Sequence, residues 1–153
     1  MKEHQNLFRD LQEDFRKMKK NLLVAQSGGP TAAINATLAG VIKQAIKEEQ
    51  IDQVYGACYG IQGVLEQKFV NLTEKVDTEE KLEKLKRTPA AALGSCRFKL
   101  NDIKEDDSQY QEIVDILHKM NIGYFVYIGG NDSMDTVAKL SAYCKEKGVE
   151  DIK

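Results

Sequence analysis

Residues 124–136 read Tyr-Phe-Val-Tyr-Ile-Gly-Gly-Asn-Asp-Ser-Met-Asp-Thr, and the fold is decided in this stretch. Five β-favouring residues run into two glycines, and an Asn-Asp-Ser cluster then opens a segment with helical periodicity. The pattern predicts a buried strand that turns sharply into a helix. Such a junction suits an anion, because glycines let backbone N–H groups approach a ligand and the first helical turn leaves its own N–H groups unpaired.

Working back along the chain, residues 22–27 repeat the design. They read as a strand, Gly28-Gly29-Pro30 breaks it, and residues 31–49 read as a helix with Ile34, Leu38, Val41, Ile42 and Ala45 on one face. Two strand–glycine–helix junctions predict an α/β fold, a Rossmann-like parallel sheet with helices on both faces, whose turns converge at the carboxyl edge of the sheet. Neither turn is a Walker A loop, since no Gly-Lys-Ser/Thr follows. Gly56, Gly60 and Gly63 do not match the dinucleotide spacing either.

Between the two junctions, residues 52–58 read as a strand, 59–63 as a turn or short helix, and 69–72 as a short strand. Residues 77–87 are charged and helical with only Leu82 and Leu85 apolar, the pattern of a solvated surface helix. Residues 94–99, Gly-Ser-Cys-Arg-Phe-Lys, have two readings. As a loop closing over phosphate, Arg97 supplies a planar fork and Lys99 a point charge; otherwise both are solvated surface charges. Cys96, with no His nearby in sequence, reads as a packed thiol rather than a nucleophile.

A helix over 108–120 is amphipathic through Tyr110, Ile113, Val114, Leu117 and Met120, with His118 at its surface or end, and Asn121-Ile122-Gly123 caps it. The last helix carries Val137, Leu140 and Cys144 on one face and ends at Gly148, and 149–153 is too short to form anything further by itself. At the other end, Leu7, Leu11, Phe15 and Met18 make an apolar stripe in charged surroundings. Residues 1–17 are thus a short docking helix or a mobile leader. The domain proper is expected over 18–153.

A chain of 153 residues that is 42% hydrophobic holds one domain. Lys+Arg 22 against Asp+Glu 24 leaves a net charge of -2, which gives no electrostatic case for nucleic acid or an anionic membrane. No apolar run reaches the roughly 18 residues of a membrane helix, and a cytoplasmic location is expected. Cys58, Cys96 and Cys144 form no Cys-x-x-Cys pair and read as reduced structural thiols. His4 and His118 share no ligand-like spacing, so zinc or Ser-His-Asp chemistry has little to work with.

Taken together, Ser27-Gly28-Gly29-Pro30 with Ile34-Asn35-Ala36, Gly94-Ser95-Cys96-Arg97, and Ile128-Gly129-Gly130-Asn131-Asp132-Ser133 resemble the phosphofructokinase family in order and spacing. The pyrophosphate-dependent group matches these residues best, from about Asn21 onward. The resemblance implies an incomplete phosphofructokinase-type N-terminal domain that binds pyrophosphate and Mg²⁺ and acts on fructose 6-phosphate. It implies donor binding by Gly28, Gly29, Arg97, Gly130, Asn131 and Ser133, with Gly29 contacting the donor through its backbone. Asn131 stands where many relatives carry the Asp that holds Mg²⁺. Asp132 belongs to the catalytic set and occupies the place of a glycine in ATP-using relatives, where a carboxylate repels the α-phosphate of a nucleotide.

The Thr-Ile-Asp-Asn-Asp motif that supplies the family's base is absent from these 153 residues. The expectation is therefore a donor half-site that is inactive by itself, within an enzyme that is oligomeric when complete. A stand-alone phosphate-binding or regulatory module and an ATP-dependent phosphofructokinase are the alternatives.

Overall fold

The computed structural model describes residues 2–29 and 31–153. Four strands form one sheet in the order β3-β2-β1-β4, built from β1 (Lys20–Gln26), β2 (Ile51–Ala57), β3 (Phe69–Asn71) and β4 (Ile122–Ile128). The helices are α1 (Lys2–Met18), α2 (Ile34–Ala45), α3 (Gly60–Leu65), α4 (Leu72–Lys75), α5 (Glu79–Arg87), α6 (Ser108–Lys119) and α7 (Asn131–Glu146). β1 pairs in parallel with both β2 and β4, so it lies inside the sheet and reads as a continuous apolar run. Its side chains alternate between two cores. Leu23 and Ala25 pack with residues of α3, α6 and α7, and Leu22 and Val24 pack with α2, α4 and α5 on the other face. Leu38 and Ile42 of α2 are fully buried, each stabilising the fold by roughly 1.5–3 kcal/mol.

The expected parallel sheet with helices on both faces is present, with one difference at its edge. β3 runs antiparallel to β2, pairing Tyr55 with Asn71 and Ala57 with Phe69. Residues 58–68 between the two strands form only the one short helix α3, and a parallel return needs a crossover of a dozen or more residues.

Other boundaries shift for local reasons. α2 starts at Ile34 rather than residue 31, because residues 31–33 form a turn in which the Ile34 N–H donates to Thr31 O at 3.3 Å. It ends at Ala45, where Lys47 and Glu48 donate to carbonyls three residues back and tighten the chain. The charged segment expected as a solvated helix is docked along one side. Leu82 is buried, Leu85 is half-buried, and Glu79 meets Lys43 of α2 at 2.6 Å.

Residues 149–153 also do more than expected. Lys153 N–H donates to Gly123 O at 2.9 Å and Lys153 O accepts from Phe125 N–H at 2.8 Å, the bond pattern of a parallel bridge on the outer edge of β4. Asp151 accepts from or shares a proton with His118 Nε2 at 3.1 Å, which ties the same segment to the end of α6. At the opposite terminus α1 forms a helix, yet Leu7, Phe8, Leu11 and Met18 are exposed. The side chain of Phe15, also part of the expected stripe, lies outside the described residues. No helix among the described residues is long and apolar enough to cross a membrane.

Candidate functional site

β1 and β4 are neighbours, so the turns at their carboxyl ends are neighbours too. The Ser27 N–H donates to Ile128 O at 2.8 Å and locks the strands together just before both glycine pairs. Gly28 adopts φ +84°, and a Cβ there would stand 3.0 Å from Gly130 N. Only glycine allows this backbone to approach the second turn so closely. Gly129 is held as tightly on its other side, where a Cβ would overlap the Ser133 hydroxyl. Pro30 lies outside the described residues.

Beyond Gly130, α7 begins without a side-chain cap, and Ser133 and Met134 N–H both donate to Gly130 O at 3.1 Å. The amides ahead of them in the first turn precede the internal ladder, which leaves the positive end of a 16-residue helix at the turn. Ser133 is 2% exposed and its hydroxyl has no hydrogen-bond partner among the described residues. An orphaned buried hydroxyl costs stability unless something satisfies it.

The third motif is carried to the same place. Gly94 adopts φ +75°, Ser95 Oγ donates to Gly28 O at 3.0 Å, and Ser27 Oγ donates to Cys96 O at 3.0 Å. These two bonds fasten residues 95 and 96 to the first glycine turn, and Arg97 follows, exposed. Among the described residues no carboxylate pairs with Arg97, whereas Lys99 Nζ lies 3.7 Å from Asp132 Oδ1. A cavity of about 350 Å³ opens between the turns, lined by Ser27, Gly29, Thr31, Thr37, Gly129 and Gly130 among others, a size suited to a small ligand.

Cys96 is half-buried, as a packed thiol should be, with Sγ 3.9 Å from the Tyr127 hydroxyl. Tyr127 itself was not legible as a site residue. Its hydroxyl accepts from Ile61 N–H at 3.1 Å and burial pushes its pKa up, so it stays neutral and bridges β4 to α3. Two further residues escaped sequence reasoning in this role. Gln26 and Asn35 are fully buried polar side chains directly beneath the first turn.

Of the expected site residues, Gly28, Gly130 and Ser133 are brought into direct register, Gly29 lines the cavity, and Arg97 enters on a loop bonded to Gly28. Asn131 and Asp132 are exposed in the first turn of α7. No group of three or more His, Cys, Asp or Glu side chains able to hold a metal exists among the described residues. Asn131 and Asp132 offer one amide and one carboxylate oxygen at the turn, donors that fit a hard cation shared with a bound phosphate and not a cage closed by protein alone.

Residues 21–150 match the model of the family Phosphofructokinase. The chain is 44% identical over 123 residues to the pyrophosphate–fructose 6-phosphate 1-phosphotransferase of Rhodospirillum rubrum, covering 80% of this chain and 29% of that one. It is 40% identical over 129 residues to the protein of the same name from Halomonas elongata, covering 84% and 30%. The crystal structure of a pyrophosphate-dependent phosphofructokinase from Nitrosospira multiformis superposes with a TM-score of 0.75 at 38% identity, over 84% of this chain and 31% of the other. The chain thus spans under a third of the length of these relatives. With the family match covering most of its residues and the glycine turns, basic loop and helix start assembled at one sheet edge, the chain belongs to the phosphofructokinase family.

Proposed function

We propose that this chain forms the phosphoryl-donor half of a 6-phosphofructokinase that transfers a phosphoryl group from pyrophosphate to the 1-hydroxyl of fructose 6-phosphate. The carrying observation is the contact of the two glycine turns, 3.0 Å from a Gly28 Cβ position to Gly130 N, with the Arg97 loop bonded onto the first of them. Residues 18–153 are the donor-binding part of the domain, and residues 1–17 a leader to it.

Backbone N–H groups of Gly28, Gly29 and Gly130 and the first turn of α7 receive phosphate oxygens, and the Ser133 hydroxyl finds there the partner it lacks. Arg97 grips the donor through its planar fork, and Lys99 adds a mobile point charge. Asn131 would hold Mg²⁺ directly or through water, and the bound ion would supply charge neutralisation at the phosphate oxygens. By the family resemblance Asp132 takes the place of a glycine of ATP-using members, and its charge and volume select pyrophosphate over ATP. Transfer requires a base for the sugar hydroxyl and a site that orients the sugar, so the 153 residues alone turn nothing over. The complete enzyme is a cytoplasmic homo-oligomer of glycolysis.

Calorimetric titration of the purified chain with Mg²⁺-pyrophosphate and with Mg²⁺-ATP tests this reading. Saturable binding of pyrophosphate alone is the expected result. Binding of ATP with equal affinity, turnover of fructose 6-phosphate by this chain, or no binding of either anion would overturn it.

A further inference from the structure

Gln26 and Asn35 form a closed amide network under the first glycine turn. Gln26 Nε2 donates to Ile34 O at 3.2 Å and to Asn35 Oδ1 at 3.1 Å, while Gln26 Oε1 accepts from Leu93 N–H at 2.9 Å. Asn35 Nδ2 donates to Thr88 O at 2.8 Å and Ala90 O at 2.5 Å, and Asn35 Oδ1 accepts from Ala92 N–H at 2.9 Å as well. Two side chains with no exposed surface thereby satisfy four backbone groups of the segment that precedes the Arg97 loop. Both Asn35 donors and both lone pairs of its oxygen are in use, so its amide has no capacity left.

This segment would not hold its shape unaided. Ala90 adopts φ +62°, a left-handed conformation that is unfavourable for a non-glycine residue. Such a conformation persists only where surrounding bonds over-determine it. The segment has no helix or strand of its own, and it ends at Gly94, from which Ser95, Cys96 and Arg97 follow.

We propose that Gln26 and Asn35 are positioning residues for the anion site, fixing the separation between the first glycine turn and the Arg97–Lys99 charges. The inference rests on the donor-site reading above and deepens it. Gln26 ends β1 and Asn35 opens α2, so the network references the basic loop to the two elements flanking the turn. The backbone that carries Arg97 and Lys99 thus stands at a preset distance from the anion, with its ordering entropy spent on folding and not on binding. Neither amide touches the ligand.

Three measurements on the 153-residue chain test it. Amide exchange of the unaltered protein should show Ala92 and Leu93 N–H protected as strongly as β1 amides; exchange at open-loop rates overturns the proposal. Gln26→Met keeps volume and removes three bonds, and Asn35→Asp keeps shape and removes two donors. In each, trypsin cleavage after Arg97 and Lys99 should rise about tenfold over cleavage elsewhere, and pyrophosphate affinity should fall about tenfold. Asn21→Ala is the control. It loses bonds to Met120 O and Gln53 N–H at the far end of β1, and should lower the melting temperature without moving either readout. An unchanged cleavage ratio in the variants, or an equal affinity loss in Asn21→Ala, sinks the positioning role. Failure of the unaltered chain to bind pyrophosphate would instead remove the donor reading, while cleavage and exchange still decide the network.

Discussion

Lys99 Nζ stands 3.7 Å from Asp132 Oδ1, joining the basic loop to the first turn of α7 through two side chains that are about three-quarters exposed. An ion pair this open contributes little to stability and is screened by salt. Lys99 can therefore leave Asp132 for an incoming phosphate at small cost. Lys99→Ala is expected to weaken pyrophosphate binding about fivefold at low salt, and less as salt rises. Titrations at two ionic strengths check this, and unaltered affinity at both would assign Lys99 no part in binding.

Asp132→Gly removes the carboxylate without disturbing the core, since Asp132 is exposed. If the side chain excludes nucleotide, the variant gains Mg²⁺-ATP affinity while retaining pyrophosphate binding. Calorimetry reads both. An ATP affinity that stays unmeasurable would show that exclusion lies elsewhere.

The two glycines of the first turn should respond differently to alanine. Gly28→Ala forces a side chain into a left-handed backbone and against Gly130 N, a loss of about 2 kcal/mol or a fall of roughly 4–8 °C in Tm. At Gly29 a Cβ meets nothing within 4 Å among the described residues, so the fold tolerates it. Gly29 lines the cavity, however, and Gly29→Ala should narrow it and reduce pyrophosphate affinity. Thermal melts separate the two effects from the titrations.

Ser133→Ala removes a buried hydroxyl that has no hydrogen-bond partner among the described residues. Stability should be unchanged or slightly higher, while pyrophosphate affinity drops about three- to tenfold. A marked loss of Tm would mean that the hydroxyl has an internal partner.

His118 Nε2 holds the Asp151 carboxylate below its ordinary 3.8, chiefly through their hydrogen bond. A carboxylate with a depressed folded-state pKa stabilises the fold above its unfolded value, and that contribution disappears as pH falls through the folded value. The Tm difference between the unaltered chain and Asp151→Asn should therefore be present at neutral pH and shrink below about pH 4. Both groups are nearly half exposed, so the effect stays under about 1 kcal/mol.

The glycine pairs and the strands leading to them were legible in the sequence because each combines an apolar run with a break that few other structures need. Arg97 was legible as a candidate phosphate ligand, but the way its loop is fastened was not, since that depends on Ser27 and Ser95, whose hydroxyls look like ordinary turn residues. Asn35 was legible only as part of the Ile34-Asn35-Ala36 motif, and Gln26 gave almost no signal. A polar residue ending an apolar strand reads as the start of a turn, and only the backbone groups of residues 88–93, more than fifty positions away, show what the amides bind. β3 was legible as a short strand, and only its antiparallel direction escaped, for a different reason. Three half-buried residues have no periodicity to read, and direction is set by the length of the connection.

The interior place of β1 in the sheet also sets the order in which the molecule assembles. β2 follows it closely, but β4 pairs with β1 across about a hundred residues, as Leu22 with Tyr124. Closing so long a loop is slow relative to local contacts. The first glycine turn therefore waits for its counterpart, and the two turns come together only once β4 has paired with β1.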